Sequence, residues 1–77
     1  MIDLFHATND DGASAQARQA VVELELVEQV RFRNVFYPEV LADLQAHGGT
    51  RTPAVWDGTQ LIEGVDGVLA ALRALER

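Results

Sequence analysis

A single α/β domain, with a four-stranded mixed sheet flanked by three helices in the order β-α-β-α-β-β-α, is what this 77-residue sequence predicts. Three features carry that expectation. Thr52-Pro53-Ala54-Val55-Trp56-Asp57-Gly58 followed by Gln60-Leu61-Ile62-Glu63 reads as a proline-started strand, a tight Asp-Gly turn and a second short strand. Glycine enters positive φ without steric penalty, so Asp-Gly between apolar runs is a strong hairpin signal. Apolar residues recur at helical spacing in three separate segments. Two short apolar stretches near 2–6 and 29–35 lie on either side of the first of these, which calls for parallel pairing across a helix.

In chain order, Ile2 to His6 is short and mostly apolar and reads as the first strand. Asn9-Asp10-Asp11-Gly12 supplies turn and helix-start residues, with Asp10 or Asp11 expected as the cap. Ala13, Ala17, Ala20, Val21 and Leu24 then give an alanine-lined helical face expected to end near Leu26. From Gln29 to Val35, Val30, Phe32 and Val35 alternate with Arg31, Arg33 and Asn34, which suits a strand with one exposed side or an edge strand, its arginines forming a solvated face. Pro38 fits the first position of a second helix, where its missing N–H is no loss. That helix carries Val40, Leu41 and Leu44 inward and stops at His47-Gly48-Gly49. Pro53 opens the third strand, where no ladder bond is needed from it, and the Thr52-Pro53 bond is expected to be cis. Val65, Val68, Leu69, Leu72 and Leu75 mark the last helix, with Arg73 and Arg77 at its C-terminal end. The first two strands are expected parallel, with the hairpin adding an antiparallel pair; a loose spatial order is 3-1-2-4.

Composition narrows the partners. The net charge of −6 comes from twelve acids against six arginines, with no lysine. Nucleic acid and anionic membrane are therefore not expected, since phosphate binding needs a basic stripe. No apolar run approaches the ~20 residues of a membrane helix. The N-terminus lacks the basic and apolar regions of a signal peptide, so a cytoplasmic location is expected. Cysteine is absent, which removes disulfides, thiolate metal sites and thiol catalysis together. His6 and His47 are far apart and without flanking ligands, so no metal is expected.

Over residues Ile2 to Leu75 the chain resembles a glutaredoxin-type thioredoxin-like domain, and also the N-terminal domain of glutathione transferases. The resemblance rests on Arg51-Thr52-Pro53, on the hairpin after it, and on Glu63-Gly64-Val65-Asp66 at the start of the last helix. In that family the residue before a cis proline offers its backbone to the cysteinyl part of glutathione, and a Gly-Gly-x-Asp holds the γ-glutamyl end. Gly64 and Asp66 match the latter at the second glycine and the aspartate; Glu63 matches the transferase pattern only at its acid. The family's Cys-x-x-Cys or Cys-x-x-Ser falls on Asp11-Gly12-Ala13-Ser14, or one residue earlier, so the nucleophilic thiol is missing in either frame. The lysine that many glutaredoxins carry near the end of the first strand is absent too.

The resemblance implies a non-catalytic binding module that keeps a groove for glutathione or an extended peptide beside a cis proline. Asp11, Ser14, Thr52, Pro53, Val65 and Asp66 are the expected ligand-binding residues, with no catalytic residue, no metal and no cofactor other than glutathione as a candidate ligand. The alternative is a transferase-type or thiol-redox domain whose cysteines are replaced, naturally or by engineering. For the transferase form Ser14 would stand in for the thiol, but such enzymes carry a large helical second domain, which is not expected from these 77 residues.

Overall fold

The computed structural model describes residues 2–75. Seven elements follow in order: β1 (Ile2–His6), α1 (Ala13–Glu23), β2 (Val30–Asn34), α2 (Pro38–Ala46), β3 (Ala54–Trp56), β4 (Leu61–Glu63) and α3 (Val65–Leu75). They form an α/β fold with one four-stranded mixed sheet in the order β2-β1-β3-β4. β1 runs parallel to β2 and antiparallel to β3, and β3 pairs antiparallel with β4. The loosely expected order 3-1-2-4 is corrected: β1 and β3 are central, and β2 lies at an edge. The hairpin joins the sheet through β3, leaving the far side of β2 without a neighbouring strand among the described residues.

Alternation along the strands divides the interior between the two faces. Leu4, Val30 and Val55 pack with Ala17 and Val21 of α1, Leu26, and Val68 and Leu72 of α3. On the other face Phe5 and Ala54 meet Val40 and Leu44 of α2. Adjacent residues Leu4 and Phe5 are both fully buried because they point into different layers. In α3 the inward face centres on Val68 and Leu72, each at 0 % exposure, while Val65, Leu69 and Leu75 are half-buried at its margins.

Helix ends follow local chemistry. α1 stops at Glu23 rather than near Leu26 because Glu25 turns to φ 57. The N–H of Leu26 then bonds Val21 O at 2.8 Å and that of Glu25 bonds Val22 O at 3.1 Å, closing the last carbonyls in a Schellman motif. Leu26 is thereby turned back into the core. α2 begins at Pro38 and ends as its glycines predict, with Gly48 at φ 88 and Gly49 N–H on Leu44 O at 2.9 Å. A side chain on Gly49 would collide with Leu44 and Leu61, so that position admits only hydrogen.

Two expectations change in detail. The hairpin turn is tight, as expected, but its central residues are Gly58 and Thr59 in place of Asp57 and Gly58, with Asp57 N–H on Gln60 O at 3.3 Å. Asp57 Oδ1 accepts bonds from Thr59 N–H, Thr59 Oγ1 and Gln60 N–H, each at 2.9 Å, so its side chain organises the turn from its first position. Arg31 and Arg33 are not merely solvated: Asp3, opposite Arg31 in the register, binds Arg31 Nε at 2.9 Å and Arg33 Nη1 at 3.4 Å. Arg33 continues to Asp43 of α2 at 2.6 Å. Among the described residues no helix is long and apolar enough to cross a membrane.

Candidate functional site

The residues singled out by sequence lie in three segments: the β1–α1 loop, the loop before β3 and the start of α3. The first segment is built on a reverse turn. Asp11 at φ 58 and Gly12 at φ 80 place both central residues in the left-handed region, and Ala13 N–H bonds Asp10 O at 3.1 Å, the pattern of a type I′ turn. That turn brings the Asp10 side chain back over the first turn of α1.

Asp10 is the hub of the site. Its Oδ1 accepts the Ser14 N–H at 3.1 Å from two residues before the N-cap, which is Gly12 and makes no side-chain cap bond, so neither Asp10 nor Asp11 is the cap the sequence predicts. Its Oδ2 accepts the Ser14 hydroxyl, and also the Thr52 hydroxyl at 2.8 Å. Ser14 Oγ in turn accepts the Ala7 N–H at 3.0 Å. One carboxylate thus ties the end of β1, the start of α1 and the loop before β3 into a single network. Burial works to raise the Asp10 pKa, but the bonds from Ser14 and Thr52 outweigh it and hold the carboxyl below the usual range.

The second segment contains a cis Thr52-Pro53 peptide bond, immediately before β3. Glu63 at the end of β4 orders it, its Oε2 accepting Thr50 N–H at 2.8 Å and Arg51 N–H at 3.1 Å. Pro53 O accepts Gly64 N–H at 2.9 Å, which joins this loop to the start of α3. Arg51 lies against Gly64, where a Cβ would stand 3.3 Å from Nη2. Among the described residues, nothing bonds the backbone N–H or C=O of Thr52.

A hollow of about 160 Å³ opens beside that free backbone, lined by Thr52, Arg51, Ala7 and Asn9 and walled by Leu44 and Gln45 of α2. A second hollow of about 190 Å³ shares Ala7, Asn9 and Val35 with it and extends to Asn34, the last residue of β2, and to Phe36 beyond it. Together they form a trough along the α2 side of the sheet's upper end. Of the six residues expected to bind a ligand, only Thr52 lines it. Pro53 is buried beneath the loop, and Val65 is half-buried at the start of α3. Asp11 and Asp66 are exposed.

Ser14 is at 0 % exposure and its hydroxyl is engaged on both sides, so it presents no donor to a ligand sulfur. What sequence reasoning missed is Asp10 as the linker of the loops and the contribution of α2. Asp10 stands four residues before Ser14, one more than an N-cap bond spans; its bond to Thr52 spans 42 positions and leaves no sequence signal.

Beside this site, His6 Nδ1 lies 3.1 Å from Arg18 Nη1, which also donates to Ala7 O at 3.1 Å. A guanidinium has no acceptor, so Nδ1 carries the lone pair and the imidazole is neutral with its proton on Nε2. Burial, and after it the Arg18 charge, hold the His6 pKa below its ordinary value, with Asp10 pulling weakly the other way. His47 stacks on Trp56 at 3.8 Å and 11°, a packing role at the C-terminal end of α2. Among the described residues no three ligating side chains converge on a metal position. Neither a family model, nor a curated protein, nor a solved structure matches this chain.

Proposed function

We propose that the chain is a non-catalytic, thioredoxin-like binding module that takes up an extended peptide, or the tripeptide glutathione, in the trough beside Thr52-Pro53. The single observation behind this reading is that Thr52, whose backbone N–H and C=O have no partner among the described residues, lines an open hollow. An extended ligand pairs with such groups as an added strand would, deriving affinity from the main chain and specificity from neighbouring pockets. The element order, the mixed sheet with β1 and β3 central, and the proline loop beside the start of α3 are compatible with the thioredoxin-like resemblance. The absence of cysteine argues for binding without thiol–disulfide exchange, which needs an attacking thiolate. Burial of Ser14 argues against the transferase-type alternative.

Titration of the labelled protein with glutathione and with short peptides, followed by backbone amide shifts, tests the reading. Shifts are expected at Asn9, Thr50, Arg51 and Thr52, with a Kd on the order of 1 mM, about −4.1 kcal/mol. Absence of shifts at millimolar ligand, or shifts confined to residues away from the trough, would refute it.

A further inference from the structure

We propose that the trough takes an extended peptide carrying an aromatic side chain for Phe36 and a carboxylate for Arg51, in preference to glutathione. The inference rests on the groove reading above and names the ligand class of that groove.

The two hollows differ in chemistry. Arg51 and Thr52 line only the first, Phe36 lines only the second, and Ala7, Asn9 and Val35 lie in both. A chain that pairs with Thr52 and runs along the shared residues therefore meets a different group at each end. Among the described residues Arg51 is the one charged side chain in either lining. It is exposed, it lies against Gly64, and among the described residues it forms no ion pair. The nearby acids are occupied elsewhere, Asp10 by Ser14 and Thr52, and Glu63 by the Thr50 and Arg51 amides. A ligand carboxylate is the group a free guanidinium holds best, through one or two N–H bonds.

At the other end stands an aromatic ring that the fold does not use. Phe36 is 83 % exposed and belongs to neither core cluster. Its position is nevertheless fixed. Val35 N–H bonds His6 O at 3.0 Å, Phe36 N–H bonds Asn34 Oδ1 at 2.9 Å, and Tyr37 N–H bonds Asn34 O at 3.2 Å. Pro38 then opens α2, and the Tyr37 ring meets that of Phe36 edge-on at 5.6 Å. The chain thus holds a ring in water beside a hollow whose lining is uncharged, leaving apolar surface that nothing inside the fold removes from solvent. An aromatic side chain of the ligand covers that ring and adds the preference of two rings for offset or edge contact. Glutathione has no large apolar side chain and leaves Phe36 exposed.

The test uses acetyl-Phe-Ala-Ser-Asp-amide and its reverse, acetyl-Asp-Ser-Ala-Phe-amide, since a strand can pair in either direction. The tighter binder is compared with its alanine-for-phenylalanine and asparagine-for-aspartate forms and with glutathione. Each is titrated, with amide shifts as readout, into the native chain, Phe36→Ala and Arg51→Gln. Both side chains are exposed, so neither substitution removes a core contact. The native chain should bind the aromatic peptide about tenfold more tightly than its alanine form, ~1.4 kcal/mol. It should favour aspartate over asparagine by about threefold, the smaller factor of an exposed ion pair. Phe36→Ala should abolish the first preference and keep the second, and Arg51→Gln the reverse. A preference missing from the native chain, or unchanged by its matching substitution, overturns the proposal while shifts at Thr52 keep the groove in place. Tighter binding of glutathione than of the aromatic peptide overturns it as well. If no ligand shifts the trough residues, the groove reading fails and the selectivity falls with it.

Discussion

Glu25 shows how a single residue sets the path of the chain. A non-glycine side chain in the left-handed region crowds the following carbonyl, at a cost of roughly 1–2 kcal/mol. Glu25 accepts that cost at φ 57 so that Leu26 can return to the core. It also sets a negative charge beside the negative end of the α1 dipole, which has no basic residue in its last turn. Glu25→Gly removes both penalties and leaves the Schellman bonds in place. The unfolding free energy in urea should rise by about 1 kcal/mol; a fall in the midpoint would show that the Glu25 side chain contributes a contact of its own. Asp10 and Asp57 make the complementary point, for each short carboxylate organises a loop by accepting several nearby donors.

At the scale of elements, stability resides where helices close over the two sheet faces. α3 has the clearest division, with Val68 and Leu72 fully buried against the layer that contains Leu4, Val21 and Val55. Truncating Leu72 to alanine leaves a hole between α3 and the sheet. The expected cost is ~2–5 kcal/mol, a large share of the ~5–15 kcal/mol available to a natural domain. A denaturation midpoint for Leu72→Ala equal to that of the parent chain would place a different face of α3 inward. The seam between α2 and the sheet is secured differently, by Gly49 packing without a side chain against Leu44 and Leu61.

The whole molecule should respond to acid through groups that fold into altered surroundings. His6 has a folded-state pKa below its ordinary 6.5. The folded state therefore binds fewer protons than the unfolded chain between these two values, and stability rises with pH across that window. The His6 contribution is complete above its ordinary pKa and is lost as pH falls through the folded value. Asp10, also depressed, adds a contribution present above its ordinary 3.8 and lost at lower pH still. Urea denaturation of the native chain between pH 7.5 and pH 5 should show declining stability, and His6→Gln should flatten that decline. An equal slope in both proteins would remove His6 as the responsible group.

Much of the architecture could be read directly from residues. Pro38 and Gly48-Gly49 bracket α2 because a missing N–H and a positive φ are local requirements. The three helices and the hairpin followed from spacing, since apolar periodicity records which face must leave water. The site was legible only in part. Thr52-Pro53 and the start of α3 were marked by sequence, and Gly64 N–H on Pro53 O does bring them together. The trough's α2 wall, the burial of Ser14 and the bond from Thr52 to Asp10 were not marked. Sequence by itself determined what depends on a residue and its near neighbours: element types, the proline start and glycine stop of α2, and the absence of thiol chemistry. Tertiary structure alone decided that β3 rather than β2 shares the centre with β1, and which loops meet. These outcomes depend on contacts between residues far apart in the chain, whose energies arise only when the two surfaces are brought together.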